Sequence, residues 1–170
     1  QVSENFLLAQ ELVMDIGKPS RRGNVVLKLD MMKAYDRVSW CFLLQVLRRF
    51  GFSESWIDAI WRLVSNVWFS VLVNGVPHGF FRSTRGIRQG DPLSPTLFVI
   101  GADALTRALN ALVEQGQFQP FKVPLGCPVV THLAFADDMI IFTSGLKSSL
   151  CLIMQVLDGY CDVSGQKINP

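Results

Sequence analysis

The sequence LAFADDMIIF at residues 133–142 places two adjacent aspartates between two apolar, β-rich runs. The runs at 129–135 and 139–143 have the length and composition of strands, so they predict a β-hairpin whose tip is residues 136–138. Adjacent residues of a strand point to opposite faces, so Asp137 and Asp138 are expected to have unequal roles. Carboxylates beside apolar strands are costly unless a cation meets them, which makes this tip a candidate metal site.

A third aspartate follows another predicted strand. Residues 24–29, NVVLKL, form a short and mostly apolar run, and Asp30 comes directly after it. Taken alone, an aspartate at a strand end is most often a turn or cap residue, and a hairpin tip also favours aspartate for its conformation. The two interpretations, metal ligand and turn residue, therefore stay open at the level of single motifs.

The remaining pattern predicts an α+β fold. Strands mostly pair as hairpins and do not alternate singly with helices, which favours an antiparallel sheet with helices on one face. The Asn74-Gly75 pair marks the turn of the first hairpin. Helices are predicted at residues 5–16, 38–49 and 148–161, and two more begin near Ser53 and at Ser94-Pro95. Ser39, Ser53 and Ser94 are the candidate caps of the second, third and fourth helices. The other predicted strands are residues 67–73 and 80–84.

Composition limits the class of protein. The chain has 170 residues, which predicts one domain, and 49% of them are hydrophobic against 18% charged, which excludes a disordered chain. We expect part of this apolar surface to meet another domain. No uncharged apolar run approaches the roughly 18 residues of a membrane span, so no membrane partner is predicted. A net charge of +2 permits nucleic acid as a partner without requiring it.

The cysteines and the two ends carry weaker signals. The four cysteines show no metal-binding spacing, so they are predicted to be buried thiols of a reducing, intracellular compartment: Cys41, Cys127, Cys151 and Cys161. The two histidines, His78 and His132, are expected to be structural or surface residues. The first residues lack the features of a signal peptide, and both ends suggest an excerpt of a longer protein.

Four motifs together resemble the reverse transcriptase domain of non-LTR (LINE-type) retrotransposons, especially those of plants. In chain order they are LKLDMMKAYDRV at 27–38, RGIRQGDPLSP at 85–95, LAFADDMIIF, and SGQKIN at 164–169. The resemblance implies a polymerase palm, an antiparallel sheet backed by helices, with part of the fingers and without a thumb. It further implies that residues 1–170 are a single palm and partial fingers segment of a longer polyprotein.

The resemblance also implies a catalytic centre. Asp30, Asp137, Asp138 and Lys167 correspond to the catalytic residues, and two Mg²⁺ ions, which Mn²⁺ can replace, would be held by Asp30, the Met31 carbonyl, Asp137 and Asp138. Asp30 and Asp137 are expected to be the principal ligands. Such a metal pair serves nucleotidyl transfer from a dNTP to a primer 3′-hydroxyl. Lys167 would act as a general acid, although a solvated lysine is an equal alternative.

The nucleotide-binding residues follow from the same resemblance. They are expected to be Met31, Met32, Lys33, Ala34, Tyr35, Gln89 and Gly90. The nucleic-acid contacts are expected to be Arg85 and Arg88, with ordinary surface charges on a loop as an equal alternative. The amides of the turn after Asp30 would face the triphosphate, and Tyr35 would block a ribose 2′-hydroxyl, the alternative being a core tyrosine. Gly90 would allow a close approach. Asp36 is expected to cap the next helix and Asp91 to structure its turn.

The predicted function is an RNA-directed DNA polymerase for retrotransposition, acting on an RNA template, a DNA primer and dNTPs. Its further partners would be the missing fingers, thumb and endonuclease regions, and the localisation would be nuclear or cytoplasmic, with nuclear action by family analogy. We expect the isolated segment to be weakly active or inactive. The alternatives are an inactive remnant or nucleic-acid-binding palm module, a group II intron-type reverse transcriptase, and another two-metal palm enzyme such as a nucleotidyl cyclase.

Overall fold

The computed structural model describes residues 2–14, 16, 23–116, 118–123 and 129–169, with side chains from residue 7 onward. Helices and strands follow the predicted order, with one further short helix after the first strand. The elements are α1 Val2–Met14, β1 Asn24–Asp30, α2 Ala34–Arg37, α3 Trp40–Arg49, α4 Glu54–Ser65, β2 Trp68–Val73, β3 Val76–Arg82, α5 Ser94–Glu114, β4 His132–Phe135, β5 Asp138–Ser144 and α6 Lys147–Ser164.

The main sheet has three antiparallel strands in the order β1-β5-β4, and β2 and β3 form a separate two-stranded hairpin. The β4–β5 pair, called the FADD hairpin below, therefore supplies the central strand. Its register with β1 runs from Asn24 opposite Ser144 to Asp30 opposite Asp138. The predicted α+β class and both predicted hairpins are confirmed.

Both faces of the sheet are covered, which corrects the expectation of helices on one face only. Leu29 and Ile141 point toward the main core, which is built with α3, α4, α5 and α6. Phe142 points the other way, into a second cluster with Leu12 of α1 and Phe121. The physical reason lies in β5, whose residues after Asp138 are buried or half-buried throughout and so need cover on both sides.

The helix starts are set by local hydrogen bonds. The Ser39 hydroxyl accepts from the Phe42 amide and the Ser53 hydroxyl accepts from the Trp56 amide, each at 3.4 Å, which confirms both predicted caps. In α5 the N-cap is Leu93 and Ser94 is already helical, so the prediction of Ser94 as the cap is wrong. Asp91 structures this turn as predicted, since its carboxylate accepts from the Leu93 amide at 2.8 Å.

Helix α5 is long and apolar enough to span a membrane by length and composition alone. It is also the helix that lines the main core, with its buried stripe running through Leu97, Phe98, Leu105 and Leu109. A core helix passes the same test of composition. The packing of α5 against α3 and α6 explains its apolar character.

The β2–β3 hairpin, called the exposed hairpin below, carries the surplus of apolar surface. Every residue of both strands is exposed, including Trp68 at 59%, Leu72 at 70% and Phe80 at 76%. Its second strand starts at Val76, four residues earlier than predicted, directly after the Asn74-Gly75 turn. The expectation that apolar surface meets another domain stays a prediction, and this hairpin is where that surface lies.

The cysteines depart from expectation. Cys41 and Cys151 are exposed, because they lie on solvent-facing positions of α3 and α6, so the prediction of buried thiols is wrong for both. Cys161 is half-buried, and burial raises the pKa of its thiol. Cys127 lies outside the described residues.

Candidate functional site

Two of the three predicted aspartates meet at the open end of the sheet. Asp30, the last residue of β1, lies directly opposite Asp138, the first residue of β5. Directly opposed residues share a face, with Cβ atoms about 4.5–5.5 Å apart. The FADD turn has two residues, Ala136 with a left-handed φ of 51° and Asp137, so Asp138 belongs to the strand and not to the tip.

Each carboxylate of this pair has one polar partner. Asn169 donates its side-chain N–H to Oδ2 of Asp30 at 2.5 Å, and Lys28 Nζ lies 3.5 Å from Oδ1 of Asp138. The Lys28 pair is exposed on both sides, so it is weak. The other oxygens, Asp30 Oδ1 and Asp138 Oδ2, make no hydrogen bond or ion pair with the residues that the structure describes. Two carboxylate oxygens therefore stand available on one face.

The donor set fits a hard divalent cation. Mg²⁺ is commonly held by one or two carboxylates together with substrate phosphates, so Asp30 and Asp138 have the chemistry of magnesium ligands. Among the described residues, no three His, Cys, Asp or Glu side chains converge into a metal-binding cluster. Asp137 lies in the turn and is not gathered with the other two, although it was expected to be a principal ligand. Its role and that of the Met31 carbonyl stay predictions.

The last motif of the chain pairs with the end of β1 and the residues that follow it. Ile168 forms an antiparallel bridge with Met31, and the amide of Asn169 donates to the Asp30 carbonyl at 2.9 Å. The amide of Met32 donates to the Lys167 carbonyl at 2.8 Å, so this amide is engaged within the protein, and the role predicted for Met32 in nucleotide binding stays a prediction. The exposed Lys167 side chain thus starts beside the turn that follows Asp30.

The segment between Asp30 and α3 is compact and partly strained. Lys33 has a left-handed φ of 49°, and α2 follows it at once. The half-buried Tyr35 ring stacks on Phe98 of α5, with ring centroids 4.8 Å apart and planes 12° from parallel. Asp36 lies inside α2 and Ser39 caps α3, so the prediction of Asp36 as the cap is wrong.

The RGIRQG segment holds this loop from one side. Gly86 donates its amide to the Val38 carbonyl at 2.8 Å, and the Ile87 amide donates to the Tyr35 carbonyl at 2.9 Å. A Cβ built on Gly86 would come within 2.6 Å of the Asp36 carbonyl oxygen, so this position requires glycine. Gly90 was expected to allow a close approach, but a Cβ there meets nothing within 4 Å; its φ of 90° is what favours glycine.

A pocket of about 540 Å³ opens beside this loop, between α2 and the base of the exposed hairpin. Arg85, Arg88 and Gln89 line it, and all three side chains are exposed. The Gln89 side-chain N–H reaches the Asp36 carboxylate at 3.5 Å, the long limit of a hydrogen bond. Arg85, Arg88 and Gln89 therefore share one concave surface with Asp36.

Sequence reasoning missed several residues of the site. Lys28 lies two positions before Asp30 on the same face, and period-two spacing would have identified it. Asn169 lies 139 residues from Asp30, so no local signal could pair them. Gly86 and Gly165 were inside recognised motifs, but only the structure shows what they touch: a Cβ on Gly165 would lie 2.7 Å from the Arg37 carbonyl oxygen.

Comparison with known proteins identifies this arrangement. The chain matches the family described as reverse transcriptase (RNA-dependent DNA polymerase) over residues 6–170. The chain belongs to the reverse transcriptase family. All four predicted motifs of this reverse transcriptase domain lie within the matched residues.

Its relatives are retrotransposon proteins. It is 34% identical over 68% of its length to the Pol polyprotein of a type-1 retrotransposable element R2 of Popillia japonica. It is 31% identical over 89% to an R2 polyprotein of Nasonia vitripennis, and 28% identical over 94% to that of the type-2 element R2DM of Drosophila melanogaster. These relatives confirm the predicted likeness to a non-LTR retrotransposon reverse transcriptase. The domain spans 18%, 14% and 14% of their respective lengths.

Solved structures confirm the fold. The telomerase of Candida albicans, solved with a fragment of telomeric RNA, superposes with a TM-score of 0.68 at 16% identity, covering 99% of this reverse transcriptase domain and 30% of that chain. A truncated apo telomerase of Candida tropicalis gives a TM-score of 0.61 at 18% identity, covering 98% and 33%. The predicted α+β palm architecture is thus confirmed, and divalent metal ions are the general cofactors of the family.

Proposed function

We propose that this domain carries the catalytic centre of an RNA-directed DNA polymerase, which extends a primer 3′ end with dNTPs on an RNA template during retrotransposition. The observation that supports the proposal most directly is the opposed pair Asp30 and Asp138 at the open end of the sheet, in a chain of this family. Exposed carboxylates in direct opposition repel each other, so the arrangement favours a bound cation.

We assign Mg²⁺ as the cofactor. Asp30 and Asp138 would hold it through their available oxygens, with Asp137 and the Met31 carbonyl completing the sites once nucleotide is present. When bound, the two ions supply charge stabilisation to the attacking and leaving oxygens of an in-line displacement. Asn169 would orient the Asp30 carboxylate through its hydrogen bond to Oδ2, while the exposed Lys28 adds only a weak attraction to Oδ1 of Asp138.

The loop after Asp30 would bind the incoming nucleotide. The amides of Lys33 and Ala34 are proposed to face the triphosphate, with Gln89 and Gly90 supporting the sugar and the base from the neighbouring segment. Tyr35 is proposed to exclude a ribose 2′-hydroxyl; its half-exposed ring, stacked on Phe98, is held in one orientation and so can act as a fixed steric wall.

The cationic residues have two proposed roles. Lys167, beside the turn at Met32, would protonate the leaving pyrophosphate. Arg85 and Arg88, exposed at the pocket below the exposed hairpin, would contact backbone phosphates of the template or primer.

The whole protein is proposed to be a polyprotein in which residues 1–170 form the palm and part of the fingers. Further fingers, a thumb and an endonuclease would complete the groove for RNA template and DNA primer, and the enzyme would act in the nucleus. Because these 170 residues present an open site beside an exposed apolar hairpin, we expect little primer extension from them alone.

Primer extension on an RNA template, by the longest natural protein that carries these residues, tests the proposal. The wild-type protein should incorporate dNTPs with Mg²⁺, and Asp30→Ala should lower the rate by about a thousandfold or more. Asp58→Ala, which removes an exposed carboxylate of α4, is the matched control and should keep the rate. A wild-type protein without incorporation would overturn the function, and an active Asp30→Ala would overturn the metal site.

A further inference from the structure

Gln166 is a buried amide in the SGQKIN motif with an unusual hydrogen-bond balance. Its side chain is only 3% exposed. The Nε2 group donates to the carbonyl oxygen of Ala34 at 2.8 Å, across 132 positions of sequence. Its Oε1 atom is buried and accepts no hydrogen bond from the residues that the structure describes.

A half-satisfied buried amide is a poor choice for stability alone. The donated hydrogen bond offsets the desolvation of Nε2, but the desolvation of Oε1 is not offset within the described residues. An apolar side chain of similar size would fill the same space without that cost. The presence of glutamine at position 166 is therefore best explained by the one hydrogen bond that its side-chain amide makes, to the Ala34 carbonyl.

That contact fixes the residue before the proposed sugar gate. Gln166 holds the carbonyl of Ala34, the Ile87 amide holds the carbonyl of Tyr35 at 2.9 Å, and Phe98 stacks on the Tyr35 ring. The preceding Lys33 is left-handed, a conformation that a non-glycine residue keeps only when its surroundings hold it. Three separate segments of the chain thus converge on Ala34 and Tyr35.

Gln166 is itself held in place by its neighbours at the end of α6. The backbone amide of Gln166 donates to the Ser164 hydroxyl at 3.2 Å, and the Ser164 carbonyl accepts from the backbone amide of Ser39 at 2.7 Å. Arg37 donates its Nε to the Gly165 carbonyl at 3.2 Å, and Gly165 packs against the Arg37 backbone with no room for a Cβ. These contacts at the end of α6 therefore fix the position from which the Gln166 side chain extends.

We infer that Gln166 is a positioning residue for sugar selection, which sets the place of the Tyr35 ring by holding the Ala34 carbonyl and does not itself touch the nucleotide. The inference rests on the proposed polymerase function. It also assigns the SGQKIN motif a second task besides the one proposed for Lys167, and the two tasks differ in what they change: sugar discrimination for Gln166, the rate of the chemical step for Lys167.

The test compares kcat/KM for a dNTP with kcat/KM for the matching rNTP, in the longest natural protein that carries these residues. Gln166→Met keeps the size of the side chain and removes the amide. The ratio of kcat/KM for the dNTP to kcat/KM for the rNTP should therefore fall about threefold to tenfold. Gln155→Met, on the exposed face of α6, is the matched control and should leave the ratio unchanged. An unchanged ratio in an active Gln166→Met protein overturns the inference and leaves the polymerase proposal intact.

Two further variants separate positioning from general destabilisation. In a Tyr35→Ala background, Gln166→Met should lower the ratio no further, because the ring through which it acts is gone; a full additional loss overturns the inference. Leu157→Ala, a buried core change on the same helix, should lower the melting temperature without shifting the ratio. An equal shift from Leu157→Ala would mean that Gln166 acts through stability alone. A wild-type protein without dNTP incorporation overturns both proposals together.

Discussion

The FADD hairpin and the exposed hairpin are built by the same local device and end in opposite environments. Each joins its strands through a two-residue turn with a left-handed first residue, Ala136 in one and Asn74 in the other. Both carry runs of aliphatic and aromatic residues. Yet the last four residues of β5 are buried, whereas every residue of β2 and β3 is exposed.

This difference shows that a run of apolar residues can form a hairpin without determining whether that hairpin is buried. The FADD hairpin pairs through β5 with β1, and its two faces meet separate clusters containing Ile141 and Phe142. The exposed hairpin pairs with no other strand among the described residues. Its apolar surface is therefore available for an interface, which agrees with the proposed place of this domain within a larger enzyme.

The largest expected effect lies at the tips of the two hairpins. Asp137→Ala in the FADD tip should abolish dNTP incorporation with Mg²⁺, by about a thousandfold or more, because it removes a carboxylate proposed to complete the metal sites. Asn74→Gly, in the two-residue turn of the exposed hairpin, keeps the left-handed turn and should preserve the rate. Single-turnover primer extension measures both. A fully active Asp137→Ala would leave Asp30 and Asp138 as the only carboxylates of the proposed site.

The next effect compares two phenylalanines. Phe142 in β5 is 0% exposed and packs edge-on against Phe121, so Phe142→Ala should lower the free energy of unfolding by about 3–5 kcal/mol. Phe80→Ala in the exposed hairpin should change it by less than about 0.5 kcal/mol. Urea unfolding followed by circular dichroism measures both values. Similar losses at the two positions would mean that the exposed hairpin is covered in solution.

Two glycines give a smaller contrast. Gly86→Ala would push a methyl group to within 2.6 Å of the Asp36 carbonyl oxygen at a φ of 89°, and should cost about 2–4 kcal/mol. Gly75→Ala at the exposed tip has a φ of 81° and open space, and should cost only the strain of about 1–2 kcal/mol. Thermal unfolding of both variants orders the two costs. A Gly75→Ala change as severe as Gly86→Ala would contradict the close contact at Asp36.

The smallest effect concerns a histidine in the FADD hairpin. His132 at the start of β4 lies between the hydroxyls of Thr131 at 2.8 Å and Thr106 at 3.1 Å, and burial lowers its pKa. The folded protein then binds this proton less readily than the unfolded chain, so stability is full above the unfolded pKa of about 6.5 and falls as the pH drops below it.

Unfolding measured between about pH 7 and pH 5 tests this linkage. His132→Gln should reduce the acid-dependent loss of stability, because glutamine does not titrate. The unfolded variant then gains no proton at this position. An unchanged slope in His132→Gln would show that this histidine does not contribute to the acid sensitivity.

Much of this architecture could be predicted because the signals were local. Short apolar, β-rich runs and the Asn74-Gly75 turn predicted the strands, and Ser39 and Ser53 predicted two helix starts. Errors arose where neighbours in space decide the outcome. Asp36 was expected to cap α3, but Ser39 lies closer to its free amides, and α2 was missed because four residues carry no periodicity.

The sequence by itself determined the family, the order of elements and the residues capable of the chemistry, because motif spacing and residue type are properties of the chain alone. The tertiary structure decided which of those residues meet. Asp30 faces Asp138 and not Asp137, because Asp137 lies in the two-residue turn and Asp138 begins the strand that pairs with β1. Asn169 and Gln166 reach the loop after Asp30 from more than a hundred residues away, and contacts between distant segments follow from packing, not from local pattern.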